Sequence, residues 1–198
     1  MNYLVLVNKE NKIPDNWESD IQLINIVDVE GKKTKLEKET LDKFYELRQA
    51  ARNIGLEIEI NSAYRSVAGQ EEIAKELLEQ KGPEYVQLYV ATPGYSEHHT
   101  GLAVDVALRQ NGERVVENEE KTVKLHMYEQ LHTILADFGF ILRYPKGKEE
   151  ITGYRYEPWH IRYIQDVEKA HKIMDEGLTL EEYVNAKRMV IKPNPQQQ

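Results

Sequence analysis

The chain has 198 residues, 40% hydrophobic and 30% charged, with a formal charge of −8 and no cysteine. That length suits one domain with a sizeable core, and the balance is that of a globular protein, not a disordered or collagenous one. Disulfides, thiolate zinc fingers and a cysteine nucleophile are excluded, and an acidic chain without a basic run argues against nonspecific nucleic-acid binding.

The first 33 residues hold two apolar runs, YLVLV and IQLINIVDV, that read as short strands or extended lead-in. Residues 34–55 read as a helix: Thr34 with Glu37 offers a capping box, Leu41, Phe44, Leu47, Ala51 and Ile54 keep helical spacing, and Gly55 suits the C-terminal cap. LEIEI then alternates as a strand and delivers the chain to NSAYRS. Ser66 can cap a helix running to Gly82-Pro83 with Ile73 and Leu77 facing in, and PEYVQLY adds a shorter one.

The segment YSEHHTGLAVDVAL follows, ending in a strand that places Leu102, Val104 and Val106 on one face and Ala103, Asp105 and Ala107 on the other. Residues 121–139 read as a helix. FILRY and YRYEPWHIRYI read as an antiparallel pair across a long connection, and Asp166 and Thr179 as N-caps of two closing helices. This irregular alternation predicts an α+β fold, one small domain with a central antiparallel sheet and flanking helices. Residues 1–191 would form it, with 192–198, KPNPQQQ, as a disordered tail.

Zinc catalysis needs three nitrogen or carboxylate ligands and one position for water. His98, Asp105 and His160 are the candidates: Gly101 lets the backbone bend between the first two, and His160 would arrive on a neighbouring strand. Pro158 breaks the pleat, so Glu157 can lean toward the same place as a general base. Arg65 could stabilise an oxyanion. Taken singly, each has a plainer account: a capped histidine, an edge aspartate, a surface glutamate, a salt-bridged arginine. His99, His126, His132 and His171 keep that plainer account, and Tyr156, Trp159 and Tyr163 read as core or rim aromatics.

Jointly the residues say more. SEHHTGLAVD, Ser96 to Asp105, resembles the SxHxxGxAxD motif of the VanY-type zinc D-alanyl-D-alanine peptidases. Glu157-Pro158-Trp159-His160 is similar to their ExxH element, and Ser62-Ala63-Tyr64-Arg65 with Gln70 to their S-G-Y-R…Q segment. The resemblance implies the fold shared with the Hedgehog signalling domain, and Zn2+ held by His98, Asp105 and His160. It further implies Glu157 as base, Arg65 on the substrate carbonyl, and Ser96, Gln70, Ser62 and Tyr64 as substrate-binding residues. Ala63 departs from the family's usual glycine, and its methyl could narrow the pocket.

The implied substrate is a peptidoglycan stem peptide ending in D-alanine. A dipeptidase needs an acid for the free ammonium. Ser62 is neutral, which tilts the expectation toward a D,D-carboxypeptidase, although Glu97 could serve. Some dipeptidase activity stays open, because ILRYP and EEITGYRYEPWHIRY resemble the bifunctional enzymes of glycopeptide resistance. The alternatives are an L,D-carboxypeptidase, an endopeptidase, or a Hedgehog-like binding domain without turnover. No run is long enough for a membrane span or a signal core, so the chain as given is expected to be cytoplasmic. A leader removed beforehand would make it membrane-anchored or extracytoplasmic instead. Residues 109–122 are expected to rim the site.

Overall fold

The computed structural model describes residues 1–110, 113–114 and 125–191. The predicted tail at 192–198 and most of the predicted rim at 109–122 therefore lie outside the described residues. The elements run α1 (Trp17–Asp20), β1 (Leu23–Val27), β2 (Lys33–Glu37), α2 (Lys38–Asn53), β3 (Glu57–Ser62), α3 (Val67–Lys81) and α4 (Pro83–Tyr89). After a 3-10 turn over Glu97–Thr100 come β4 (Ala103–Gln110), β5 (Glu113–Arg114), α5 (Leu125–His132) and a 3-10 turn over Ala136–Phe138. The chain closes with β6 (Phe140–Leu142), α6 (Glu149–Thr152), β7 (His160–Tyr163), α7 (Val167–Asp175) and α8 (Leu180–Ile191).

A single α+β domain results, as the irregular alternation predicts. Its main sheet is antiparallel in the order β3-β4-β7-β6, with β5 on the end of β4, while β1 and β2 form a separate hairpin. Phe44 and Leu47 of α2 pack on Ile58, Val104, Val106 and Ile161, so one face of the sheet is closed by that helix. Ile141 and Ile164 make a second cluster with Ala170, Ile173 and Leu180 of the closing helices. The opening YLVLV run joins no strand. Val5 and Val7 instead pack with Ile13, Trp17 and Leu102, and the Trp17 indole donates to the Thr100 carbonyl at 2.9 Å. Among the described residues no helix is long and apolar enough to cross a membrane.

Two helix expectations need correction. Residues 33–37 are strand, not helix, because Asp28 caps a turn by accepting from the N–H groups of Glu30 and Lys32 and folds β2 back on β1. The helix therefore starts at Lys38, and its cap is Glu37: the carboxylate accepts from Glu39 N–H (3.1 Å), Thr40 N–H (2.8 Å) and the Thr40 hydroxyl (2.9 Å) while almost fully buried. Glu37→Ala should therefore cost about 1–2 kcal/mol, read as a lower denaturant midpoint at unchanged slope. In the expected helix over 121–139, the described part breaks after His132 and resumes as a 3-10 turn.

Candidate metal centre and active-site cleft

The sheet register assembles the centre. Asp105 lies on the central strand β4, opposite His160 on β7 and opposite Ser62 across an irregularity in β3 between Ile60 and Ser62. His98 comes from the 3-10 turn just before β4. Gly101 ends that turn at φ 68°, in the left-handed region, and a Cβ there would stand 3.1 Å from a Leu23 methyl. One residue without a side chain thus folds His98 back over Asp105.

His98 Nε2 lies 3.4 Å from one Asp105 oxygen and His160 Nδ1 lies 2.9 Å from the other. One ligand atom from each of the three falls within 4.8 Å of the others, and they form the metal-binding group among the described residues. Tetrahedral zinc with ligand bonds near 2.0–2.2 Å separates its donors by about 3.3 Å, inside that spread. Two imidazole nitrogens and one carboxylate are also a donor set that zinc takes in catalytic sites. The ring orientations fit as well. His98 donates from Nδ1 to the Ala63 carbonyl at 2.7 Å, which leaves Nε2 unprotonated toward Asp105.

Electrostatics follow the burial of these groups. Burial would raise the Asp105 carboxyl, but the His98 and His160 rings hold it below the usual carboxylate range. Burial pushes the His98 ring down. For His160 burial acts the same way, yet the facing Asp105 and Glu97 carboxylates prevail and push it up to about 10 in the metal-free protein.

The remaining catalytic candidates meet in the same cleft, a cavity of about 920 Å³ whose lining includes Arg65, Gln70, Ser96, Glu157, Trp159 and the three metal-binding residues. Glu157 is nearly buried, and its Oε2 stands 3.9 Å from His160 Nδ1, a gap that one bridging water can span. Arg65 is clamped from both ends. Its backbone N–H donates to the His98 carbonyl (3.1 Å), and its guanidinium donates to Gln70 Oε1 (2.8 Å) and Ser62 Oγ (3.2 Å). The buried Ser96 hydroxyl accepts from His98 N–H at 3.3 Å and can still donate its own proton into the cleft.

Several sequence expectations change here. Ser62 and Tyr64 do not line the cleft: Ser62 buttresses Arg65, and the Tyr64 hydroxyl bonds Glu18. Gln70 does line it, but its amide already donates to the Ala91 carbonyl and accepts from Arg65, so it orients the guanidinium. The Ala63 methyl belongs to the hydrophobic core and cannot narrow the pocket. Glu97 is no acceptor for a substrate ammonium. Fully buried, it receives Arg143 Nε and Arg162 Nη1, both at 2.6 Å, and these cations outweigh burial and hold its carboxyl well below the usual range.

The plainer account holds for three of the other histidines. His99 accepts from Gly94 N–H and donates to the Arg65 carbonyl, His132 faces the Pro158 carbonyl, and His171 pairs with Asp137 at the surface. Sequence reasoning missed Tyr144 and Tyr154, which stack beside His160 in the cleft wall, and the buried arginines behind it. Aromatic-rich ILRYP and GYRYEPW were the available signal for the tyrosines.

Residues 33–166 match the family model described as VanY, D-alanyl-D-alanine carboxypeptidase. The chain belongs to the VanY family. YodJ of Bacillus subtilis (strain 168) is 39% identical over 192 residues, covering 92% of this chain and 67% of that one, so the chain spans about two thirds of that relative. Among solved VanY-like structures, the LdcB LD-carboxypeptidase is 38% identical with a TM-score of 0.78, over 93% of this chain and 86% of its own. A glutamate-to-alanine mutant of the D,D-pentapeptidase VanY from a VanB-type resistance cassette, in complex with Zn(II), is 36% identical with a TM-score of 0.76, over 93% and 100%. The VanY-family fold and a VanY-type metal-binding triad are therefore both present in this chain.

Proposed function

We propose that the chain is a zinc carboxypeptidase that removes the C-terminal D-alanine from peptidoglycan stem peptides, acting on the D-Ala-D-Ala bond. The observation that carries this is the meeting of the His98–Asp105–His160 triad, Glu157 and Arg65 in one cleft. Zinc, when bound, supplies a Lewis acid for the scissile carbonyl and lowers the pKa of a water. Ser96 donates to the terminal carboxylate of the peptide, which brings the last amide bond between Arg65 and Glu157. Glu157 takes a proton from the attacking water. Arg65 donates to the carbonyl oxygen as negative charge develops there. As the C–N bond breaks, Glu157 returns the proton to the alanine nitrogen, so one water is consumed and a shortened peptide with a new carboxylate leaves.

The carboxylates favour a peptide over the free dipeptide. Among the described residues lining the cleft, Asp105 is a metal ligand, Glu157 is the base and Glu97 is held by two arginines. None is left for a substrate ammonium. The likeness to LdcB supports a second assignment, an L,D-carboxypeptidase that trims the tetrapeptide.

Product masses separate the two. The zinc-loaded protein is given D-Ala-D-Ala, a stem pentapeptide ending in D-Ala-D-Ala, and a stem tetrapeptide. Loss of one alanine from the pentapeptide, abolished by a chelator, is the expected result. Trimming of the tetrapeptide alone would establish the L,D assignment in its place, and no cleavage of any substrate would overturn both.

A further inference from the structure

Behind the metal-binding triad lies a fully buried charge cluster. Glu97 Oε1 receives Arg143 Nε and Arg162 Nη1, each at 2.6 Å, while Glu97 Oε2 faces His160 Nε2 at 3.3 Å. Arg143 also grips both Glu181 oxygens of α8, at 2.8 and 2.6 Å, and Asn8 donates to Glu181. Arg162 reaches the carbonyls of Tyr3 and Val5 at 3.0 and 2.8 Å. The two arginines thus tie Glu97 to the N-terminal segment and to α8, and hold it from one side only.

We propose that Glu97 is a positioning residue that fixes the tautomer of His160, so that Nε2 carries the proton and Nδ1 is presented to the metal. The inference rests on His160 being a metal ligand. Which Glu97 oxygen the arginines occupy decides the tautomer. A guanidinium has donors and no acceptor and does not deprotonate in proteins, so Oε1 must always be an acceptor. That leaves Oε2 as the atom facing the imidazole, and an ionised carboxylate there can only accept. His160 must then donate from Nε2, and its Nδ1 lone pair is left for the ion, the arrangement in which an outer carboxylate orients a metal-bound histidine.

Glutamine at position 97 would reverse this. It is nearly isosteric, but it has a single oxygen, and both arginines require that oxygen where Oε1 now stands. Its NH2 would replace Oε2 and point a donor at His160 Nε2. The ring could satisfy that donor only by moving its proton to Nδ1, where it would meet the metal. Exchange of that one oxygen for an NH2 should therefore act on metal binding.

The test is zinc affinity, measured by competition with a chromophoric chelator, for the whole chain, for Glu97→Gln and for Glu181→Gln. Glu181→Gln disturbs the same cluster without touching His160. Glu97→Gln should bind zinc about 10- to 100-fold more weakly, with Glu181→Gln close to the parent. Equal affinity in the parent and Glu97→Gln, or equal losses in both variants, would overturn the proposal, the second case because it marks a general loosening. If Glu97→Gln does not fold, imidazole nitrogen NMR of the zinc-loaded parent decides: His160 protonated on Nε2 and metallated through Nδ1 supports the proposal, and ligation through Nε2 ends it. A parent that binds no zinc would instead overturn the metal assignment itself. None of these readouts depends on which peptide is cleaved.

Discussion

Glu157→Gln is expected to retain zinc at parental stoichiometry while kcat falls by about 10²- to 10⁴-fold, the range for removal of a positioned general base. The residue sits close to the metal-binding triad without belonging to it: its Oε2 is 3.9 Å from His160 Nδ1, while the three ligand atoms group without it. Backbone bonds hold it there. Its N–H donates to the Tyr144 carbonyl and its carbonyl accepts from His160 N–H, so the carboxylate is registered to a metal ligand three residues on. Glutamine keeps the length and shape of the side chain, so the cleft wall stays filled, but an amide cannot take a proton from water and give it to an amine. Metal content by elemental analysis, beside single-turnover rates on the pentapeptide, separates the roles. Zinc loss would make Glu157 a ligand. Near-parental turnover in the loaded variant would remove it from the chemistry.

What could be read in the sequence depended on the span of each interaction. Asp105 and His160 were legible because strand alternation and the EPWH break each act over a few residues, and the β4–β7 register then set them opposite one another. Glu37 was harder: its participation in a capping box was visible, but the pairing of β2 with β1 moved the helix start to Lys38, and the cap went from Thr34 to Glu37. The Asp28–Gly31 turn was the local signal for that hairpin. The buried arginines had no local signal at all. Arg143 and Arg162 meet Glu97 from 46 and 65 residues away, the first just past the end of β6 and the second within β7. Only the packed sheet reveals that two cations and Glu97 exclude water together, which is why Glu97 looked available to a substrate and is not.

The same clamp logic makes Arg65→Lys an informative change. It is expected to lower kcat on the pentapeptide by about 10²- to 10³-fold, the loss typical of one oxyanion donor, with zinc affinity unchanged. Lysine keeps the positive charge, so a role in long-range attraction alone would survive the substitution. What it loses is the planar fork. One guanidinium nitrogen is committed to Gln70 Oε1 and another to Ser62 Oγ, and Gln70 is itself braced by the Ala91 carbonyl, so the hydrogens left for substrate have a fixed direction before it arrives. An ammonium on a flexible stem cannot satisfy two acceptors and still hold a third hydrogen at a set angle. Because the donor matters most once charge has built up on the carbonyl oxygen, the deficit should fall on kcat and leave KM nearly unmoved. A raised KM with parental kcat would place Arg65 on the ground-state carboxylate instead, beside Ser96. Gln70→Ala offers a graded check: it frees one side of the fork without removing the charge, so its loss in kcat should lie between the parent and Arg65→Lys.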